Sequence, residues 1–185
     1  MKKIFLVIIF FFLTSEASAS IKDNIIQHLK STNSLAFNFE QEINGKKENG
    51  NCVLKYPKKI YCKYNSKNNK ILVSNGKSLV INSDRHSQYY RYPLHKTWLN
   101  LILDKQYLIE EMKNFNNQSN FSDDYFFKFN NDITSIIIYF DKMTLNLKGW
   151  TTKDIYQNHV ETKISNVKTN LYFNDKIFNI QNYIN

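Results

Sequence analysis

The chain is poor in the residues that shape phosphate-binding loops: of 185 residues only 4 are glycine and 2 are proline. It holds neither a P-loop nor a GxGxxG fingerprint, so nucleotide-dependent chemistry has no recognisable seat. Histidine is equally sparse. His28, His86, His95 and His159 never fall at an HxxxH spacing or beside a CxxC, which predicts no metal site. One stretch, "SDRHS" from Ser83 to Ser87, groups a serine, an acid and a histidine. Its members are crowded into a single loop, whereas a triad converges from separate elements. The neighbouring acids Glu110-Glu111 and Asp123-Asp124 read as a helix face and a solvated loop rather than a general acid/base pair. The expectation is a protein that is not an enzyme and takes no cofactor. A secreted hydrolase, the competing reading, would need Asp84 or Asp123 to meet a histidine in a cleft. Acidic residues are also the minority, 16 against 25 Lys and Arg. The lysines are scattered rather than gathered into a stripe among aromatic residues, so nucleic acid is not the expected partner. Anionic lipid headgroups or an acidic protein fit that charge better, and solubility alone accounts for it equally well.

Long apolar runs are missing except at the start, "MKKIFLVIIFFFLTSEASAS". Lys2 and Lys3, the apolar run Ile4 to Leu13 and the small-residue box Ala17-Ser18-Ala19 have the order of a secretory signal. The run is well short of the roughly 20 residues a membrane-spanning helix needs. Cleavage is expected before Ser20, leaving residues 20–185 as one domain. Loss of two lysines and one glutamate takes the net charge from +9 to +8. No cysteine lies near the cleavage site to carry a lipid, so a soluble exported product is expected.

What the chain does have is alternation. Leu35, Phe37 and Phe39 share one side of a strand and Ala36, Asn38 and Glu40 the other. Beyond the "NGKKENG" turn, Cys52, Leu54 and Tyr56 alternate with Val53 and Lys55. After Pro57, Ile60, Cys62 and Tyr64 alternate with Tyr61 and Lys63. A hairpin centred on Pro57 sets Leu54 opposite Ile60 and Cys52 opposite Cys62. These are the only 2 cysteines, and in an oxidising compartment that register predicts a cross-strand disulfide on the inner face. A loop offset of one residue would instead turn one cysteine away and leave two free thiols. "KILVSNGKSLVIN" is a further hairpin, with Asn75-Gly76 as its type I′ turn, and "SQYYRY" closes the meander.

The period then changes. Leu94, Trp98, Leu101, Ile102, Leu108, Ile109 and Met112 recur at helical spacing, with a break near Asp104. Ile21, Ile25, Ile26 and Leu29 form a second helical stripe. Strands resume with "DYFFKFN", then "ITSIIIYFD" after an Asn130-Asn131 turn, "TLNLKGWTT", "HVETKISNV" and the terminal "KIFNIQNY". The expected fold class is α+β, with about ten short strands in one antiparallel sheet and two helical interruptions. Aromatic residues are 15% of the chain, an ordinary core or the lining of a pocket under a curved sheet.

"FNFEQ" from Phe37 to Gln41, then Gly50, Leu54 and Pro57, then "ILVSNGKSL" and "GWTTKD", in that order, resemble the LolA family of periplasmic lipoprotein carriers. The resemblance implies an open half-barrel sheet covered by a helical lid. Beneath the lid would lie a hydrophobic cavity for lipoprotein acyl chains, lined by Phe37, Phe39, Leu54, Tyr56, Ile60, Tyr64, Ile136 and Ile138. Ile25, Leu29, Trp98, Leu101, Ile102 and Leu108 would form the lid. A monomer in the periplasm of a Gram-negative bacterium is implied, taking cargo from an inner-membrane ABC transporter and passing it to an outer-membrane lipoprotein receptor. A regulatory lipid- or protein-binding sensor module is the alternative on the same fold. One departure matters: the family often has an arginine before the hairpin proline, bonded to the lid, and here that residue is Tyr56. Its phenol can donate one hydrogen bond to a lid carbonyl but cannot supply an arginine's fork.

Overall fold

The structure is a computed structural model and describes residues 20–83, 88–114, 119–121, 124–130, 135–153 and 157–184. Residues 1–19, where a signal is expected, together with Asp84, His86, Asp123, Asn131 and Asp154, lie outside the described residues.

The chain builds one antiparallel sheet of 11 strands in the order β6-β5-β4-β3-β2-β1-β11-β10-β9-β8-β7. The first half is a meander: β1 (Ser34–Ile43), β2 (Lys46–Lys55), β3 (Lys59–Tyr64), β4 (Ile71–Asn75), β5 (Ser78–Ser83) and β6 (Gln88–Pro93). The second half is another: β7 (Ser119–Phe121), β8 (Asp124–Asn130), β9 (Ser135–Asp141), β10 (Leu147–Lys153) and β11 (His159–Thr169). They join where β1 pairs with β11. The outermost strands, β6 and β7, do not pair with each other, so the sheet stays open.

Three helices serve this sheet: α1 (Ile21–Ser31), α2 (Leu99–Leu103) and α3 (Lys105–Lys113). Helix α1 starts where the Ser20 hydroxyl accepts from the Asp23 amide, relieving one of the unpaired N–H groups of its first turn. Asp104 separates the other two helices. It closes α2 and caps α3 by accepting from the Tyr107 amide, which is the break the periodicity indicates. Ile25, Leu29, Leu101, Ile102, Leu103, Leu108 and Met112 drive into one apolar core with Leu35, Leu54, Phe127, Ile136, Ile138 and Phe140 from the inner face.

Asn44 and Gly45 both take positive φ, 50° and 76°, and Ile43 pairs with Lys46. The two-residue type I′ turn therefore sits here. At Asn75-Gly76, where the sequence also suggests one, only Gly76 is left-handed, with φ 96°. The Asn75 carboxamide instead accepts from the amides of Lys77 and Ser78, an Asx turn that competes with the tighter form. The terminal "KIFNIQNY" is not a strand. It forms two short 3-10 helices, Asp175–Phe178 and Ile180–Tyr183. Asn174 and Asn179 start them by accepting from the Lys176 and Gln181 amides, so local side-chain bonds win over extension. This segment covers the outer face of the sheet, where Ile180 packs on Val73 and Val80 and Tyr61 meets Tyr183 at 5.6 Å.

Candidate functional site

Toward one end of the inner face the helices do not fill the half-barrel, and a cavity of about 610 Å³ remains. Its walls are Phe37 and Phe39 of β1, Ile60 and Tyr64 of β3, Leu72, Leu79 and Ile81 of β4 and β5, and Trp150, Val160 and Thr162 across the β1–β11 seam. Trp98 and Leu99 roof it. A methylene takes about the 30 Å³ a water molecule has in the liquid, so this space holds on the order of twenty methylenes. One long acyl chain fits.

Cys52 and Cys62 face each other on the cavity floor. They are joined by a disulfide across 4.1 Å between Cα atoms, and no described cysteine is free. The β2–β3 register is the one inferred from Pro57, with Leu54 opposite Ile60.

Of the eight cavity residues implied by resemblance, Phe37, Phe39, Ile60 and Tyr64 line the space. Leu54, Ile136 and Ile138 face inward but are fully buried in the packed region below the helices. Tyr56 packs against the edge of that core. Of the lid residues, Trp98 alone reaches the cavity. Ile25, Leu29, Leu101, Ile102 and Leu108 are core. Alternation identifies the face of a strand but not the depth along it at which a helix ends and space begins. Leu72, Leu79 and Ile81 also line the space, and alternation in the sequence marks Leu79 and Ile81 as sharing one face. Trp150, a large aromatic residue beside a glycine in a strand, was the other available signal.

Two polar features interrupt this apolar surface. The Gln41 carboxamide donates to the Thr162 hydroxyl at 3.0 Å. The indole of Trp150, 5% exposed and 5.8 Å from the Trp98 ring, has no hydrogen-bond partner for Nε1 among the described residues. A buried donor left unpaired costs about 1 to 3 kcal/mol.

The lid is held by lysines. The Lys58 amide, at the tip of the β2–β3 hairpin, donates to the Leu103 carbonyl at 2.9 Å. Its ammonium meets Asp104 at 2.9 Å. Lys105 donates to the Thr32 carbonyl at 2.7 Å and sits 5.3 Å above the Tyr56 ring. Partial burial holds its ammonium pKa below the usual lysine value. The Tyr56 hydroxyl donates to no described residue, and the ring instead provides the face on which a cation from the lid rests. One cation thus comes from the hairpin, Lys58, and one from the helix side, Lys105.

The family model described as "Outer membrane lipoprotein carrier protein LolA" matches residues 30–181. The chain belongs to the LolA family. No curated protein is similar enough in sequence to match. Among solved structures, a putative outer membrane lipoprotein-sorting protein domain from Vibrio parahaemolyticus is 8% identical, with 90% of this chain and 100% of that one covered at a TM-score of 0.50. A conserved protein from Thermus thermophilus is 7% identical, with 84% and 90% covered, also at 0.50. The LolA superfamily protein NE2245 from Nitrosomonas europaea is 9% identical over 86% and 98%, at 0.48. At these identities the likeness is one of fold. The LolA fold accounts for the open sheet and the helices over its inner face. No group of three or more metal-binding side chains is clustered among the described residues.

Proposed function

We propose that this LolA-family protein is an exported, non-enzymatic carrier that holds the acyl chains of lipoproteins between the inner and outer membranes. The observation that supports it is the apolar cavity between the curved sheet and the lid, closed by Trp98 and Leu99 and floored by the disulfide. Each methylene moved from water into such a space contributes about 0.8 kcal/mol, so one long chain brings on the order of 10 kcal/mol. That is enough to hold a lipid against water. Release without a fuel requires that cargo and lid closure compete: a lid most stable over a small cavity is strained over a full one, and an outer-membrane acceptor draws the cargo by relaxing that strain. An inner-membrane ABC transporter supplies the opposite step.

The deciding experiment is to purify the protein from a Gram-negative periplasm without detergent and weigh it intact by native mass spectrometry. Co-purified triacylated lipoprotein is the expected result. A ligand-free protein with esterase activity would replace the carrier by the hydrolase.

A further inference from the structure

The described residues around the cavity carry charge of one sign. Lys70, Lys96 and Lys153 line it, and no described aspartate or glutamate does. Lys70 is engaged, bonded to Glu48 at 2.6 Å and lying 4.2 Å over the Tyr64 ring. Lys96, at the end of a short 3-10 turn in the roof, and Lys153, the last residue of β10, are exposed and form no ion pair with a described acid. They stand at the rim of a space that is otherwise apolar except for Gln41, Thr97, Gln157 and Thr162. A purely hydrocarbon occupant would leave the cations unused. A lipoprotein's acylated cysteine offers ester and amide oxygens but no headgroup anion.

We propose that the cavity binds an anionic acyl lipid with a phosphate headgroup: the acyl chain lies along the apolar wall, and Lys96 and Lys153 hold the phosphate at the rim. Two features agree on this ligand. The volume holds one long chain. The rim supplies charge complementary to phosphate. The inference rests on the reading that the cavity holds acyl chains, and it widens the cargo from lipoproteins to phosphate-headed lipids.

The chain has 2 tryptophans, Trp98 and Trp150, and both line the cavity, so intrinsic fluorescence reads its occupancy. Delipidated protein is titrated at low salt with palmitoyl lysophosphatidylglycerol, with monopalmitoylglycerol, and with glycerol 3-phosphate. The anionic lipid should bind about tenfold more tightly than the neutral one. The Lys96→Gln/Lys153→Gln variant should lose that preference while its affinity for monopalmitoylglycerol stays unchanged. Equal affinities in the unaltered protein, or a preference that survives in the variant, would overturn the proposal. Glycerol 3-phosphate binding as tightly as the lysolipid would mean a free-phosphate site and equally overturn it. If neither lipid changes the fluorescence, the acyl cavity itself is wrong.

Discussion

The contact between hairpin and lid can be taken apart one charge at a time. Lys58 and Asp104 are 2.9 Å apart with side-chain exposures of 34% and 23%, so the pair is mostly but not wholly withdrawn from water. Exposed pairs contribute about 0.2 to 1 kcal/mol, and the upper end is expected here because the Lys58 amide is already anchored on the Leu103 carbonyl. Asp104→Asn removes the charge and keeps an oxygen to cap α3, while Lys58→Met keeps the side-chain stem. The two singles and the double form a cycle in which a coupling of about 0.5 to 1 kcal/mol is expected, equivalent to a two- to fivefold shift in lid opening. Hydrogen exchange of the α2 and α3 amides measures that opening directly, and release of a bound fluorescent lipid measures its consequence. A zero coupling, or a coupling seen in global unfolding but absent from the exchange of α2 and α3, would refute the reasoning. Raising salt should shrink the coupling, and should leave the Lys58 backbone bond untouched.

Three other outcomes are expected. A photo-reactive residue at position 60, on the cavity wall, should crosslink to a bound acyl chain, and one at its cross-strand partner, position 54, should not; mass spectrometry of the adducts tells them apart. Denatured, unreduced protein should take up no alkylating reagent at Cys52 or Cys62, and breaking the bridge with Cys52→Ser/Cys62→Ser should lower stability by about 2 to 3 kcal/mol in urea denaturation. Lys55 and Lys59 at 2.7 and 3.1 Å hold the Asp175 carboxyl below its ordinary pKa of 3.8. The anchoring that Asp175 gives the C-terminal turns is therefore complete above that value and fades as pH falls through the lowered one. Amide exchange around residues 175–183 should rise there, and Asp175→Asn should show the raised exchange at neutral pH as well.

Much of the sheet was legible because a period of two has a single consequence. Phe37, Phe39, Ile60 and Tyr64 follow from alternation, and the disulfide register follows from a hairpin centred on Pro57. The helix break at Asp104 was readable for a similar reason, since a lost period and a capping residue coincide there. Depth was not readable. Leu54 and Ile60 are paired on the same face, yet one is sealed beneath helices and the other borders open space. That difference depends on where a lid from elsewhere in the chain comes to rest. The lid contact was hidden likewise, because Lys58 and Asp104 are distant in sequence and either alone reads as a solvated charge. At the C-terminus, apolar residues at near-alternate positions looked like a strand, and two asparagine side chains overrode them.

The path of the chain sets a limit on how this cavity can be enlarged. The helical segment leaves the sheet at one edge, after β6, and re-enters it at the opposite edge, at β7. It is a strap buckled on both sides, with no free end to swing clear. Cargo bulkier than one chain must therefore bow the strap outward or spread the two edges it joins, and either motion is shared with the curvature of the whole sheet. A docking partner could then loosen the grip on the cargo from a distance, by holding β6 or β7 apart, without touching the cavity at all.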